Sequence, residues 1–296
     1  MKRILLTGNK GFIGKYISRD LKNEGYIVEG LDIVDGLDLN DNDLLESMIK
    51  SVDVVFHLAA QADLYKMTSN YESLDDGIDL NVLTTKRIAL LCSQYKKKLI
   101  FASTVCVYGN IDRIAHEDTA LPNPSEAYAC SKYAAEWIIM GISKSFGLEY
   151  TILRFATVYG INMRAALGAQ TFINQAIAGN DITVHGDGKQ ERTLTHVEDL
   201  SRACVLVVKN EKSTFNQIFN VSDTDHISAI KMAEDIKRIS KSSSNIVFIA
   251  QRPNQTFKEN ISNEKIRNAL NWEPQKNWLQ GITEVIVYEK ERQGTL

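Results

Sequence analysis

Short runs of consecutive apolar residues alternate along this chain with longer stretches in which apolar positions recur every three or four residues. The runs at Lys2 to Leu6, Tyr26 to Asp32, Val52 to Leu58, Leu99 to Val105 and Tyr150 to Phe155 predict buried strands. The periodic stretches predict helices over Phe12 to Glu24, Leu80 to Tyr95 and Glu126 to Ser145. Strands that are apolar throughout are covered on both faces, and strands separated by helices pair in parallel. The expected fold class is therefore α/β, a doubly wound parallel sheet. Ligands of such sheets sit beyond the carboxyl ends of the strands, where the chain's unusual residue runs also fall.

The first of these runs is TGNKGFIG, Thr7 to Gly14, between the first strand and the first helix. A dinucleotide pyrophosphate rests against a helix N-terminus, and side chains must be absent where the backbone approaches it. Gly8, Gly11 and Gly14 meet that need in a GxxGxxG spacing similar to that of the short-chain dehydrogenase/reductase superfamily. The second strand ends in Asp32, whose carboxylate can accept both ribose hydroxyls and would repel the 2′-phosphate of NADP. NAD is the expected cofactor. Lys10, inside the glycine turn, is the one residue that points toward NADP.

The second run is YACSK, Tyr128 to Lys132. Four residues apart in a helix, the two side chains share a face. A phenol with pKa near ~10 is a poor base at neutral pH, but an ammonium and a bound nicotinamide favour the phenolate. Ahead of it, Ser103-Thr104 closes a strand, and a hydroxyl there can hold a substrate oxygen while the phenol moves its proton. Thr104, Tyr128 and Lys132 are the expected catalytic residues.

Composition narrows the field. At 296 residues and 44% hydrophobic content the chain can bury a large core, and its net charge of −3 offers no basic surplus for nucleic acid. Lys96-Lys97-Lys98 reads as a solvated turn. Four cysteines form no CxxC pair and have no matching histidine cluster, so neither a disulfide framework nor a metal site is expected. With no apolar run of ~20 residues and no signal-like N-terminus, a cytoplasmic protein with no membrane partner is expected.

Over nearly its whole length the chain resembles the extended short-chain dehydrogenases, the NAD-dependent epimerase/dehydratase family, which act mostly on nucleotide sugars. The resemblance implies a Rossmann-type domain over 1–162, with a return segment at about 192–222. It also implies a smaller C-terminal α/β substrate domain from 163–191 and 223–296, and a homodimer formed by the two longer helices. It implies that Phe12 and Ile13 join the glycines at the cofactor, that Asp38-Leu39 holds the adenine, that Leu58, Ala59 and Ala60 of HLAAQ line the cofactor, and that Asn81 supports it. His57 in that run is expected to be a packed or backbone-bonded residue. The VYG of Val107 to Gly109 places Thr104 rather than Ser103 at the catalytic hydroxyl. LRFATVYG places Thr157 where relatives have a substrate-binding asparagine. HGDGKQERTL gives Arg192, and Arg252-Pro253 a second arginine, for the substrate diphosphate. The tail with Lys265 and Trp272 is structural.

Relatives that dehydrate carry Asp-Glu directly after the catalytic threonine; Val105 and Cys106 stand there in this chain. Relatives that use a cysteine at Cys106 pair it with a later histidine, and Gly168 to Phe172 contains none, so Cys106 is expected to be a small packing residue. What remains sufficient is a nucleotide-sugar 4-epimerase. The alternatives are an NAD(P)H-dependent 4-keto reductase, which Lys10 would favour, or a dehydratase of a nucleotide deoxysugar, and a non-catalytic dinucleotide sensor, which would have no need of the catalytic residues.

Overall fold

A computed structural model describes residues 1–63, 67–111, 113–251 and 258–294. Six parallel strands form the central sheet: β1 (Arg3–Thr7), β2 (Ile27–Leu31), β3 (Val54–His57), β4 (Lys98–Thr104), β5 (Tyr150–Phe155) and β9 (Gln217–Val221), in the order β2-β1-β3-β4-β5-β9. Successive side chains of a strand point to opposite faces, and the core divides accordingly. Ile4, Leu6, Phe56, Ile100 and Leu153 pack on one side against Ile17, Leu21 and the helix Val197–Lys209. Leu5, Val55, Phe101 and Ile152 pack on the other against Ile88, Cys92, Ala135 and Ile139 of the helices Thr85–Gln94 and Ala127–Phe146. This is the doubly wound Rossmann-type arrangement expected from the apolar pattern.

Register decides what the sheet presents. Thr7 pairs with both Leu31 and His57, so the residues following β1, β2 and β3 emerge at one edge. His57 lies opposite Phe101, and β4 continues three residues further to Thr104, opposite Phe155 of β5. Thr104 thus stands proud of the neighbouring strand end.

The remaining strands, β6 (Thr157–Tyr159), β7 (Ile182–His185), β8 (Glu191–His196), β10 (His226–Ser228) and β11 (Ile246–Ile249), make a three-stranded sheet β10-β8-β6 and a two-stranded sheet β11-β7. A separate core of Tyr159, Phe172, Ile173, Val184, Met232, Ile236, Trp278 and Ile282 joins them to helices Gly168–Ile177, Ala229–Ser240 and Trp278–Arg292. Trp272 is fully buried in the main core, with its indole N–H on the Asp199 carbonyl, as a structural tail requires.

Three local expectations change. β4 ends at Thr104, not Val105, because the Thr104 hydroxyl accepts the Cys106 N–H at 3.1 Å and starts a 3₁₀ turn, Val105–Tyr108. The helix expected from Leu80 has helical chain before it: Tyr71–Ile78 runs through a wide π turn, Asp79–Thr84, into Thr85–Gln94. Such widened turns collect at functional positions, and this one carries Asn81. Lys98 belongs to β4 rather than to a solvated turn, its Nζ lying 2.6 Å from Glu211 and over the Phe215 ring.

Candidate active site

The glycine turn closes too tightly for side chains. A Cβ at Gly14 would lie 2.1 Å from the Gly8 carbonyl oxygen, and one at Gly8, whose φ is +72°, would meet the Ala59 nitrogen at 2.9 Å. Gly11 caps the helix Phe12–Asn23 without using a side chain, so the amides of its first turn face the cradle. The Asn9 Oδ1 atom is buried there with no partner among the described residues. Bare backbone, a helix N-terminus and an orphaned acceptor suit the pyrophosphate and ribose hydroxyls of a dinucleotide.

The adjacent residues hold this cradle in place. Thr7 Oγ1 accepts the Leu58 and Ala59 N–H groups at 3.2 and 3.1 Å and lies 2.7 Å from His57 Nδ1. His57 Nε2 reaches Thr85 Oγ1 at 3.0 Å, and burial pushes the imidazole down to about 3, so His57 is a neutral structural residue. Asn81 is fully buried and exchanges hydrogen bonds with both backbone groups of Gln61, while its amide also donates to Ser131 Oγ at 3.0 Å. It ties the HLAAQ loop, with Ala60 inside it, to the helix that carries Tyr128 and Lys132. Phe12 packs against the smaller-sheet core and Ile13 against the main core. Leu39 is buried beside Leu31 and Leu45, and Asp38 accepts the Asn40 N–H at 2.8 Å. None of Thr7, Thr85 and Ser131 was expected; the one visible signal was that Thr7 opens the glycine run.

Helix Ala127–Phe146 brings Tyr128, half-buried, and Lys132, 1% exposed, to the end of β4, where Thr104 is 6% exposed. Lys132 Nζ sits 4.0 Å over the Phe101 ring. Burial pushes its ammonium down to about 7, with Glu136 one turn on offsetting part of the shift. Burial also raises the Tyr128 phenol, and the Arg164 charge only partly opposes this. Desolvation penalises both charges, so without the nicotinamide that the expectation also invoked the two groups are neutral more readily than in water.

The Lys132 shift carries a sign. Between pH 7 and 10.5 the unfolded chain holds the extra proton, so the Lys132 contribution to stability rises with pH across that window and is least favourable below it. Urea unfolding of cofactor-free protein at several pH values should show this slope, and Lys132→Met should flatten it.

Residues 4–222 match the NAD dependent epimerase/dehydratase family. The chain belongs to that family. It is 29% identical to a UDP-N-acetyl-alpha-D-glucosaminuronate decarboxylase of Bacillus cytotoxicus, with 98% of each chain covered. Among solved structures it resembles UDP-glucose 4-epimerase of Thermotoga maritima with UDP-glucose, at TM-score 0.91 and 25% identity over 98% of this chain and 99% of that one. It resembles equally UDP-glucuronic acid 4-epimerase of Bacillus cereus in complex with UDP-glucuronic acid and NAD, at TM-score 0.91 and 26% identity over 98% and 99%. Among the described residues no helix is long and apolar enough to cross a membrane.

The family's cofactor is NAD, and the β2 edge agrees. Asp32 accepts the backbone N–H groups of Lys10 and Val34 at 2.9 and 3.1 Å, which fixes its carboxylate at the strand end. The Lys10 ammonium, which pointed toward NADP, lies 3.2 Å from Asp35 and is balanced by it. Asp32→Ser is expected to weaken NAD binding by about 10- to 100-fold, the worth of hydrogen bonds to a charged group, and to narrow the preference over NADP. Fluorescence titration with both nucleotides checks it.

Arg192, on β8, has Nε 3.3 Å from Glu259 and Nη1 on the Glu191 carbonyl at 2.7 Å, and neither contact engages Nη2. Thr157, on β6, is half-buried and paired with Leu194 of β8. Arg252 lies outside the described residues. Cys106 is only half-buried rather than a packed core residue, and its thiol is pushed up to about 12 by burial and by Glu259. That disfavours a thiolate at neutral pH. The burial of Glu136 and Glu259 was not expected, because nothing in the local pattern distinguishes a buried glutamate from a solvated one.

Proposed function

We propose that this chain is an NAD-dependent nucleotide-sugar 4-epimerase in which Tyr128 moves the proton of the sugar 4-hydroxyl, Thr104 holds that oxygen and Lys132 supports the phenol and the cofactor ribose. What supports the reading is that Thr104 closes β4 while Lys132, on the helix that also carries Tyr128, lays its Nζ 4.0 Å over the Phe101 ring of the same strand. The two residues that follow Thr104, Val105 and Cys106, supply no second acid and base. Bound NAD would accept hydride from C4 and return it. The chain's residues then have little else to do: Tyr128, ionised once the positive nicotinamide and the Lys132 ammonium stand beside it, would take the hydroxyl proton as the 4-keto sugar forms and give it back after the sugar has turned over. A proton transfer of this kind contributes about 10²- to 10⁴-fold.

Arg192, through Nη2, and Arg252 are assigned to the diphosphate, Thr157 to the sugar, and residues 163–191 and 223–296 to the substrate side. Helices Thr85–Gln94 and Ala127–Phe146 pack together and leave Leu90 and Trp137 41% and 56% exposed, which supports a homodimer through that face.

The test incubates purified protein with UDP-, GDP-, dTDP- and CDP-sugars and trace NAD, following sugar isomers by NMR and reduced cofactor by absorbance. C4 interconversion without net cofactor reduction is expected. Cofactor oxidation seen only with a supplied 4-keto sugar would replace the epimerase by the reductase.

A further inference from the structure

The chain that leaves β6 touches the cofactor half twice before it enters the helix Gly168–Ile177. It turns out through Gly160, whose φ is +151° and where a Cβ would meet Val197 at 2.5 Å, and through Asn162 at φ +68°. The Tyr16 hydroxyl, in the second turn of the helix that begins at the glycine cradle, donates to the Ile161 carbonyl at 3.2 Å. Phe12, the first residue of that helix, packs against the same core as Ile161, the core that buries Met163. On its far side the segment reaches the β3 loop, where Arg164 Nη1 donates to the Ala62 carbonyl at 2.7 Å, across 102 positions of sequence. The mechanism above uses none of Tyr16, Arg164 and Ala62.

The β3 loop has a fixed course. It begins against the glycine turn, where the Ala59 nitrogen stands 2.9 Å from the place of a Gly8 Cβ. It ends beside the catalytic helix, because Gln61 is bonded to Asn81, Asn81 to Ser131, and Ser131 Oγ donates to the Tyr128 carbonyl at 2.7 Å. A dinucleotide with its pyrophosphate at the glycine turn and its nicotinamide at Tyr128 has to run along this loop, and the span from Tyr16 to Ala62 crosses that course. The charge of Arg164 also reaches the Tyr128 phenol, in keeping with a guanidinium at the nicotinamide end.

We infer that Gly160 to Leu167 is a strap across the nicotinamide half of the NAD site and that Arg164 is the positioning residue that latches it: the Arg164–Ala62 contact breaks when cofactor enters or leaves and stays made during turnover. The strap serves the cofactor, whichever sugar is turned over. Arg164 is exposed, so its part is the hydrogen bond and not packing. One hydrogen bond from a charged donor is enough to hold the open state to about a tenth of the population. Closing segments of this kind sequester a reacting centre and set exchange rates.

The experiment is stopped-flow fluorescence with NADH. The on-rate comes from mixing with cofactor-free protein and the off-rate from chasing the NADH complex with excess NAD, for the unsubstituted protein, Arg164→Ala and Tyr16→Phe. Arg164→Ala should raise both rates about tenfold and leave Kd within about threefold, because a latch that touches no cofactor slows entry and exit alike. Tyr16→Phe, which frees the other end by removing a neutral hydrogen bond, should raise both rates about threefold. ADP, which fills only the Asp32 end, should bind all three proteins equally by calorimetry. Rates unmoved by Arg164→Ala overturn the inference. So does a rise in the off-rate alone, which would make Arg164 a direct ligand of the cofactor, or an equal loss of ADP affinity, which would mean a general loosening of the fold. None of these readouts uses sugar turnover, so failure of the epimerase reading shows separately, in the NMR assay.

Discussion

Tyr128→Phe is expected to lower turnover by about 10³-fold, within the range of a lost general acid/base, while the protein stays folded and still takes up NAD. The phenol is half-buried at the N-terminal turn of a long helix, and phenylalanine keeps the ring and its packing. Only the oxygen that accepts and returns the 4-hydroxyl proton is lost. The residual rate should lose the part of its pH dependence that the phenol supplies. Thr104→Ala removes a positioning hydroxyl that also receives the Cys106 N–H, so it should act on rate and on local order at once. Single-turnover NMR with the accepted sugar, read beside an NAD titration of each variant, separates these outcomes. A Tyr128→Phe enzyme with unimpaired turnover would remove Tyr128 from the chemistry.

Glu136→Ala should cost about 3 to 5 kcal/mol of folding stability, because it strands a buried guanidinium. Glu136 is fully buried in the catalytic helix, and its two carboxyl oxygens accept Arg154 Nε at 3.1 Å and Nη2 at 2.6 Å and the Ser103 hydroxyl at 2.5 Å. Arg154 Nη1 in turn donates to the Tyr108 hydroxyl at 2.7 Å, which donates to Asn220 Oδ1 at 2.9 Å. The network pins β4, β5, β9 and the 3₁₀ turn after Thr104 to the helix carrying Lys132. For a chain of this size the loss corresponds to a drop in Tm of roughly 10 °C. Replacing both partners, Glu136→Leu with Arg154→Met, should recover much of it, since no charge is left buried alone. Thermal unfolding of the single and double variants decides between this and a network that contributes nothing.

The sequence was sufficient for five of the six strands of the main sheet, though not for β9, and for the glycine cradle, and it singled out Thr104, Tyr128 and Lys132. Each of these is written in local patterns: all-apolar runs mean strands covered on both faces, GxxGxxG between strand and helix permits backbone to approach a phosphate, and four-residue spacing puts Tyr128 and Lys132 on one helix face. Tertiary structure decided which charges stand alone. Lys10 reads as a free cation in sequence and is balanced by Asp35 across the cradle; Lys98 reads as solvated and lies against Glu211. Arg192 reads as a bare phosphate ligand and shares its guanidinium with Glu259, 67 residues away in sequence. The buried glutamates Glu136 and Glu259 have no sequence signature, because a carboxyl group's partner and its desolvation are set by residues from distant elements. The balance between burial and those partners, which fixes whether Tyr128 and Lys132 are charged before the cofactor arrives, exists only once the strands and helices are assembled.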